Sequence, residues 1–226
     1  MPRTARVSPG GLVYHVINRG VGRQQLFFDD DDYLAFEKVM AETLDKRPMR
    51  VLGYCLMPNH WHLVLWPQND GDLGKFMQRL TVTHVTRWQK YHNQVGYGHV
   101  YQGRFKSFIV DTDDYFYQVM RYVERNALRA NLVAKAENWE WGSLWIREYG
   151  DTDQRKLLSS WPVRRPRKWA KYVNKPISPP ELEALRRSCN RGCPYGSAAW
   201  VKKTVKKYGL ESTMRKPGRP KIHSQG

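Results

Sequence analysis

The sequence predicts an α+β fold: a ferredoxin-like antiparallel sheet with packed helices, followed by a basic helical tail. Three observations carry this expectation. The apolar residues of the first 150 positions change period in the order strand, helix, strand, strand, helix, strand, with one more helix after them. Turn and cap residues fall where the period changes. After Gly150 the charge balance shifts, from 19 Lys and Arg against 16 Asp and Glu in residues 1–150 to 19 against 5 in residues 151–226. The chain is accordingly divided into a globular part, residues 1–150, and a tail, residues 151–226.

The elements follow in order. "GGLVYHVINRG" alternates and is rich in β-formers, which predicts a strand over 11–18 that ends at Asn18-Arg19-Gly20. In "LFFDDDDYLAFEKVMAETLDKR" the spacing of Leu34, Phe36, Val39, Met40 and Leu44 is helical. The Asp29–Asp32 run at its head suits an N-cap and the positive end of the helix dipole, cation binding being the other use for four aspartates. "MRVLGYCLMP" and "HWHLVLWP" read as two strands joined around Pro58-Asn59. From Gly71 to about His92 a helix is predicted, with Leu73, Phe76, Met77, Leu80, His84 and Trp88 on one face. "HVYQGRFKSFIV" reads as a further pair of strands. "DTDDYFYQVMRYVERNALRANLV" opens with a Thr112/Asp113 cap and predicts a helix to about Arg129. Trp139, Trp141 and Trp145 close the globular part as an edge clamp. Beyond it, "RRPRKWAKYVNKPISPP" has the composition of a linker. "PPELEALRRSC", "NRGCPYG" and "SAAWVKKTVKKYG" then read as helix, turn and basic helix, a helix-turn-helix unit with Lys203 and Lys207 on its exposed face.

At 226 residues with 41% apolar side chains, the chain can bury a core. It has no run of membrane-span length, and "MPRTARVSPGG" lacks the apolar segment of a signal peptide. Cys55, Cys189 and Cys193 form an odd set, and "CNRGC" has the wrong spacing for half a zinc site. These features predict a cytoplasmic, disulfide-free protein with no membrane partner. A net charge of +17 attracts polyanions, and nucleic acid is the expected one. Nine Trp and 13% aromatics suit stacking on exposed bases, the bland alternative being a basic tail that only confers solubility.

His60 and His62 stand one residue apart on a predicted strand, so both imidazoles point to one face and Trp61, Leu63 and Leu65 to the other. Two imidazoles on one face can hold a divalent ion with open positions, and equally they can be satisfied structural histidines. On the predicted helix Tyr122 and Asn126 are four apart and share a face bordering Val119, Val123 and Ala130. Asn126 can lend an oxygen to an ion, with the Tyr122 phenol beside it. From spacing alone, an ordinary core-edge tyrosine with a surface asparagine is the simpler account of the pair.

Taken together, these motifs resemble a known family. "LMPNHWHLVL" is similar to the histidine–hydrophobe–histidine (HUH) motif of single-tyrosine transposases, and "RYVERNALRANLV" to their tyrosine helix. "YHVINRG", "VYQGRFKSFIVD" and "WEWGS" match in order, over about residues 10–148. "RGCPYGSAAWV" and "RKPGRPK" narrow the resemblance to the REP-associated tyrosine transposases, which act on repetitive extragenic palindromes. The resemblance implies that residues 1–150 are the catalytic domain and residues 151–226 a DNA-binding tail. It implies His60, His62 and Asn126 as ligands of Mg²⁺ or Mn²⁺ and Tyr122 as the nucleophile, Tyr115 and Tyr117 being structural. The expected reaction is nicking and rejoining of single-stranded hairpin DNA through a 5′-phosphotyrosine, by a monomer or homodimer. Asn18, Arg19, Arg104 and Lys106 are candidates for DNA contacts, as are Lys203 and Lys207, and Arg219 for a minor-groove hook. The family often has proline after the asparagine, whereas Ala127 follows Asn126 here and lets a helix continue. A non-catalytic DNA-binding regulator and a water-using nuclease are the alternatives.

Overall fold

The computed structural model describes residues 8–112 and 114–215. β1 (Val13–Arg19) leads to α1 (Asp30–Lys46), β2 (Arg50–Met57), β3 (His60–Trp66), α2 (Asp72–Tyr91) and β4 (Lys106–Val110). The strands form one antiparallel sheet in the order β2-β3-β1-β4, the arrangement of a ferredoxin-like fold. After the sheet come α3 (Asp114–Glu124), α4 (Asn126–Arg129), α5 (Ser143–Glu148), α6 (Thr152–Arg155) and α7 (Trp169–Asn174). The described chain closes with α8 (Pro179–Arg191), α9 (Ala198–Tyr208) and α10 (Glu211–Met214).

Strand alternation divides the interior in two. Tyr14, Val16, Trp61, Leu63 and Leu65 point into a core with Phe36 and Met40 of α1 and Phe76 and Leu80 of α2. Val13, Val64 and Phe108 point the other way, into a second core shared with Phe116, Val119, Tyr122 and Val123 of α3. Both faces of the sheet are therefore covered. The seating of α3 depends on Gly53, where a β-bulge shifts the β2/β3 register. A Cβ there would lie 2.3 Å from the Met120 methyl carbon and 2.9 Å from Ser143 Oγ, so a larger residue would displace these side chains.

Several expectations are corrected. The tyrosine helix breaks at Arg125 (φ −86°, ψ 0°), so α3 ends at Glu124 although Ala127 stands where proline was expected to cause the bend. The predicted strand pair over "HVYQGRFKSFIV" is one strand, β4. Tyr101 makes only an isolated bridge to Gly20, because its hydroxyl is drawn into the first core by Trp61 Nε1 (2.9 Å) and His84 Nδ1 (2.8 Å). The segment that reads as a linker carries α7. Its Trp169 is buried in the second core and donates from Nε1 to Glu124 Oε2 at 2.5 Å. Residue 150 is thus no break in packing.

Nor do α8 and α9 form a free helix-turn-helix. Leu185 and Cys189 of α8 belong to the second core, whereas Trp200 and Tyr208 of α9 pack on the first. Between the helices Tyr195 pairs with the edge strand β4, donating its N–H to Ile109 O and accepting from Asp111 N–H. The opposite edge, β2, is covered by the tryptophan segment: Leu56 N–H donates to Trp141 O, and Trp139 Nε1 donates to Leu56 O, both at 2.8 Å. Neither edge is left open for pairing with another chain. Cys55, Cys189 and Cys193 are free and buried. Among the described residues no helix is long and apolar enough to cross a membrane.

A segment that only links would tolerate truncation of Trp169. Because it is packed in the core, Trp169→Ala is expected to destabilise the fold by ~3–5 kcal/mol in urea unfolding. An unchanged midpoint would mean that residues 151–178 do not dock.

Candidate active site

The β1/β3 register sets the site. Arg19 stands opposite His60 and Ile17 opposite His62, so these side chains and that of His15, two residues further along β1, share one face. α3 lies over that face and brings Tyr122 down to it. The Tyr122 ring meets His62 edge-on with centroids 5.7 Å apart, and His15 at 6.2 Å. His60 and His62 are themselves 5.1 Å apart. Of the two motif histidines, His62 meets the helix-borne phenol's ring, and the second imidazole against that ring is His15.

Hydrogen bonds select which ring nitrogens are available. His60 Nδ1 lies 2.7 Å from Asn59 Oδ1, and since a carboxamide oxygen only accepts, Nδ1 carries the proton and Nε2 keeps its lone pair. His62 Nδ1 lies 2.8 Å from His15 Nε2, both rings being fully buried. When His62 donates across that contact, its Nε2 also presents a lone pair. His15 then holds its own proton on Nδ1, which faces the Cys189 sulfur at 4.0 Å. Burial and the nearby Arg19 and Arg129 charges lower the His60 pKa to about 4. Burial, then the neighbouring histidines and the same two arginines, hold His62 well below its ordinary value. Both imidazoles are neutral at pH 7, the form that binds metals.

The Tyr122 phenol is pushed up from its ordinary value, chiefly by burial and next by Cys189, with Arg129 acting in the opposite direction. Its hydroxyl faces Cys189 Sγ of α8 at 4.0 Å, and only 5% of the residue is exposed. Asn126 is buried beside it in sequence and fold. Its Oδ1 accepts from Arg129 Nη2 at 2.5 Å, and its Nδ2 has no partner. The histidines fit a divalent ion. Asn126 has a neutral oxygen to offer, but that oxygen is bound to a guanidinium here. Among the described residues no set of three His, Cys, Asp or Glu side chains is arranged to hold a metal, so a third ligand must be of another kind.

The DNA-contact candidates divide. Arg19, Arg104 and Lys106 line a cavity of about 310 Å³ together with Gln102, Cys189 and Asn190. A neighbouring cavity of about 440 Å³ adds Ser107 and Arg191. Cys189 lines the first cavity and also faces the Tyr122 hydroxyl, so this residue of α8 stands between the basic groove and the phenol. Asn18 borders the groove, but its amide is engaged within the chain: Nδ2 donates to Gly103 O and Oδ1 accepts from Arg19 N–H. Lys203 and Lys207 are exposed on α9, whose apolar side packs on the α1/α2 core, away from the histidine face. Arg219 lies outside the described residues.

Sequence reasoning missed His15, Arg129, Cys189, Asn190 and Arg191. Two of these were within reach: His15 falls on the face fixed by alternation along β1, and Arg129 is seven residues after Tyr122, hence on the same side of a helix. The α8 residues could not be placed, because nothing local says that α8 docks beside β4.

A family model described as IS200-like transposases matches residues 10–126, which include His60, His62, Tyr122 and Asn126. Among solved structures, that of a REP-associated tyrosine transposase bound to a REP hairpin superposes with a TM-score of 0.53 at 15% identity. The match covers 79% of this chain and 99% of that one. A Deinococcus radiodurans protein described as a transposase matches at 17% identity over 58% of this chain and 92% of its own, with a TM-score of 0.38. No curated protein matches.

His15 has a measurable role if His62 Nε2 is a ligand, because it fixes the tautomer of that ring. His15→Phe is expected to weaken Mn²⁺ binding ~10–100-fold by calorimetry, the usual cost of losing a partner behind a ligand. Unchanged affinity would show that the His15–His62 contact is only structural.

Proposed function

The chain belongs to the IS200-like transposase family, and from that premise we propose that it cuts and rejoins single-stranded DNA by transesterification, with Tyr122 as the nucleophile. The observation that carries the reading is the convergence of the Tyr122 ring on His62 and His15, with Cys189 linking the phenol to a basic groove. The Tyr122 oxygen attacks phosphorus, an Oη–P bond forms and the P–O3′ bond breaks. The phenol proton ends on the released 3′-hydroxyl. The product is a 5′-phosphotyrosine whose ester energy is retained, so a 3′-hydroxyl can reverse the step and reseal the strand.

His60 and His62 would hold Mg²⁺ or Mn²⁺, with Asn126 as a third ligand once its oxygen is released from Arg129. The ion would supply Lewis-acid polarisation of the phosphoryl oxygens. The chain's own groups do the rest. Arg19, Arg104 and Lys106 attract the phosphodiester backbone into the groove. Low exposure around the histidines strengthens the electrostatic forces on the bound phosphate. The cover over Tyr122 is the side of α8 that carries Cys189, so the strand has to enter between α8 and the β1/β4 end of the sheet. Palindromic hairpins are the proposed substrate class, in line with the REP hairpin bound in the REP-associated transposase structure.

The reading is tested by incubating the protein with a labelled single-stranded hairpin and Mn²⁺ and separating denatured products on a gel. Wild type is expected to give a protein–DNA adduct, and EDTA to abolish it. Tyr122→Phe should give none while binding the hairpin as wild type does. Cleavage retained by Tyr122→Phe would point to a water-using nuclease, and binding without any adduct to a regulator.

A further inference from the structure

Two guanidiniums approach the histidine pair from different elements. Arg19 ends β1 directly opposite His60. Arg129 ends α4, with its guanidinium carbon 5.2 Å from the centre of the Tyr122 ring and Nη2 on Asn126. Both side chains are only partly exposed, and in each the Nε–H is buried without a hydrogen-bond partner. Arg121, Arg147 and Arg165 share this feature, but Arg19 and Arg129 alone among them stand at one pair of imidazoles, where an acceptor from outside the chain would meet two guanidiniums at once. The charge around them says what kind. The cations that act on His60, His62 and Tyr122 are Arg19, Arg129 and Arg186, and no carboxylate is among the groups that shift these three side chains.

We infer that Arg19 and Arg129 form a two-arginine clamp for a phosphate group at the His60–His62 pair, Arg129 also facing the negative charge that develops on Tyr122. A guanidinium matches phosphate because its forked donors meet two oxygens at once, which an ammonium cannot do. Arg19 borders the groove and Arg129 touches the nucleophile's ring, so a phosphate between them is carried from the track to the point of attack. Phosphoryl transfer places growing charge on the non-bridging oxygens, and fixed donors there lower its barrier. The clamp explains why Asn126 and Arg129 are paired: a phosphate that takes the guanidinium frees the amide oxygen. The catalytic half of this inference rests on the proposed transesterification, whereas the anion-binding half does not.

Two measurements on the full chain separate the halves. Calorimetric titration with inorganic phosphate in EDTA involves neither metal nor cleavage. Wild type is expected to bind saturably, and Arg19→Gln and Arg129→Gln each to bind ~10-fold more weakly, about the effect of one lost charge-assisted contact. In the adduct assay, at hairpin concentrations that saturate the variant, Arg129→Gln is expected to react ~100-fold more slowly, as when one preorganised donor is removed. Arg129→Lys keeps the charge and the stem and guards against misfolding. It should retain phosphate binding but lose most of the adduct rate. Phosphate affinity unchanged in Arg129→Gln, or full adduct rate in Arg129→Lys, overturns the clamp. Clamp-dependent phosphate binding by a wild type that forms no adduct would sink the nicking reading and leave the clamp standing.

Discussion

The antiparallel register of β1 against β3 is the constraint on which the site depends. Because Ile17 pairs with His62 and Arg19 with His60, alternation gives one face of the sheet two imidazoles, a guanidinium and, two residues along β1, a third imidazole. A slip of one residue in either strand would send its polar set into the α1/α2 core and bring apolar side chains to the site. Trp61 secures the register from behind. It is wholly buried between the two histidines in sequence, and its indole N–H is held by the Tyr101 hydroxyl, itself bound to His84. The helix that brings the phenol packs closely on β2, where Gly53 has no Cβ to meet the Met120 methyl and the Ser143 hydroxyl.

Burial gives this face its chemistry. Imidazoles withdrawn from water stay neutral and can ligate, whereas a phenol withdrawn from water becomes harder to ionise. The same environment thus prepares His60 and His62 and restrains Tyr122. Positive charge relieves the restraint: Arg129 of α4 and Arg186 of α8 act on the phenol, and no carboxylate is among the groups that shift it. A site of this kind is at rest until an anionic strand enters. The proximity of Cys189 to both the groove and the phenol makes α8 part of that entry, although its residues come from the region that composition sets apart as a tail.

Periodicity made much of this legible. The order of most elements, the common face of His60 and His62, and the end of the basic helix at Gly209 follow from spacing and cap residues. What periodicity reports is a face, never the partner that covers it. His15 and His62 lie 47 positions apart and Cys189 and Tyr122 67 apart, so their meetings depend on topology and packing. Composition misled in one place. Prolines and arginines around Trp169 read as a linker, but Trp169, held on the buried Glu124 carboxylate, and Val173 dock the segment in the second core. With Ala127 where the family often has proline, the helix is expected to run on to about Arg129, yet it breaks at Arg125. There Arg125 Nε donates to Lys175 O of the docked segment.

The central claim is that one phenol, on the helix above the histidine pair, carries the strand. Tandem mass spectrometry of the proteolysed adduct measures this directly, by locating the residue that bears the nucleotide. The account predicts the added mass on Tyr122 and on no other tyrosine. A nucleotide on Tyr115 or Tyr117, which pack against Tyr195 and Trp161 on the same helix, or cleaved DNA with no modified peptide, would contradict it.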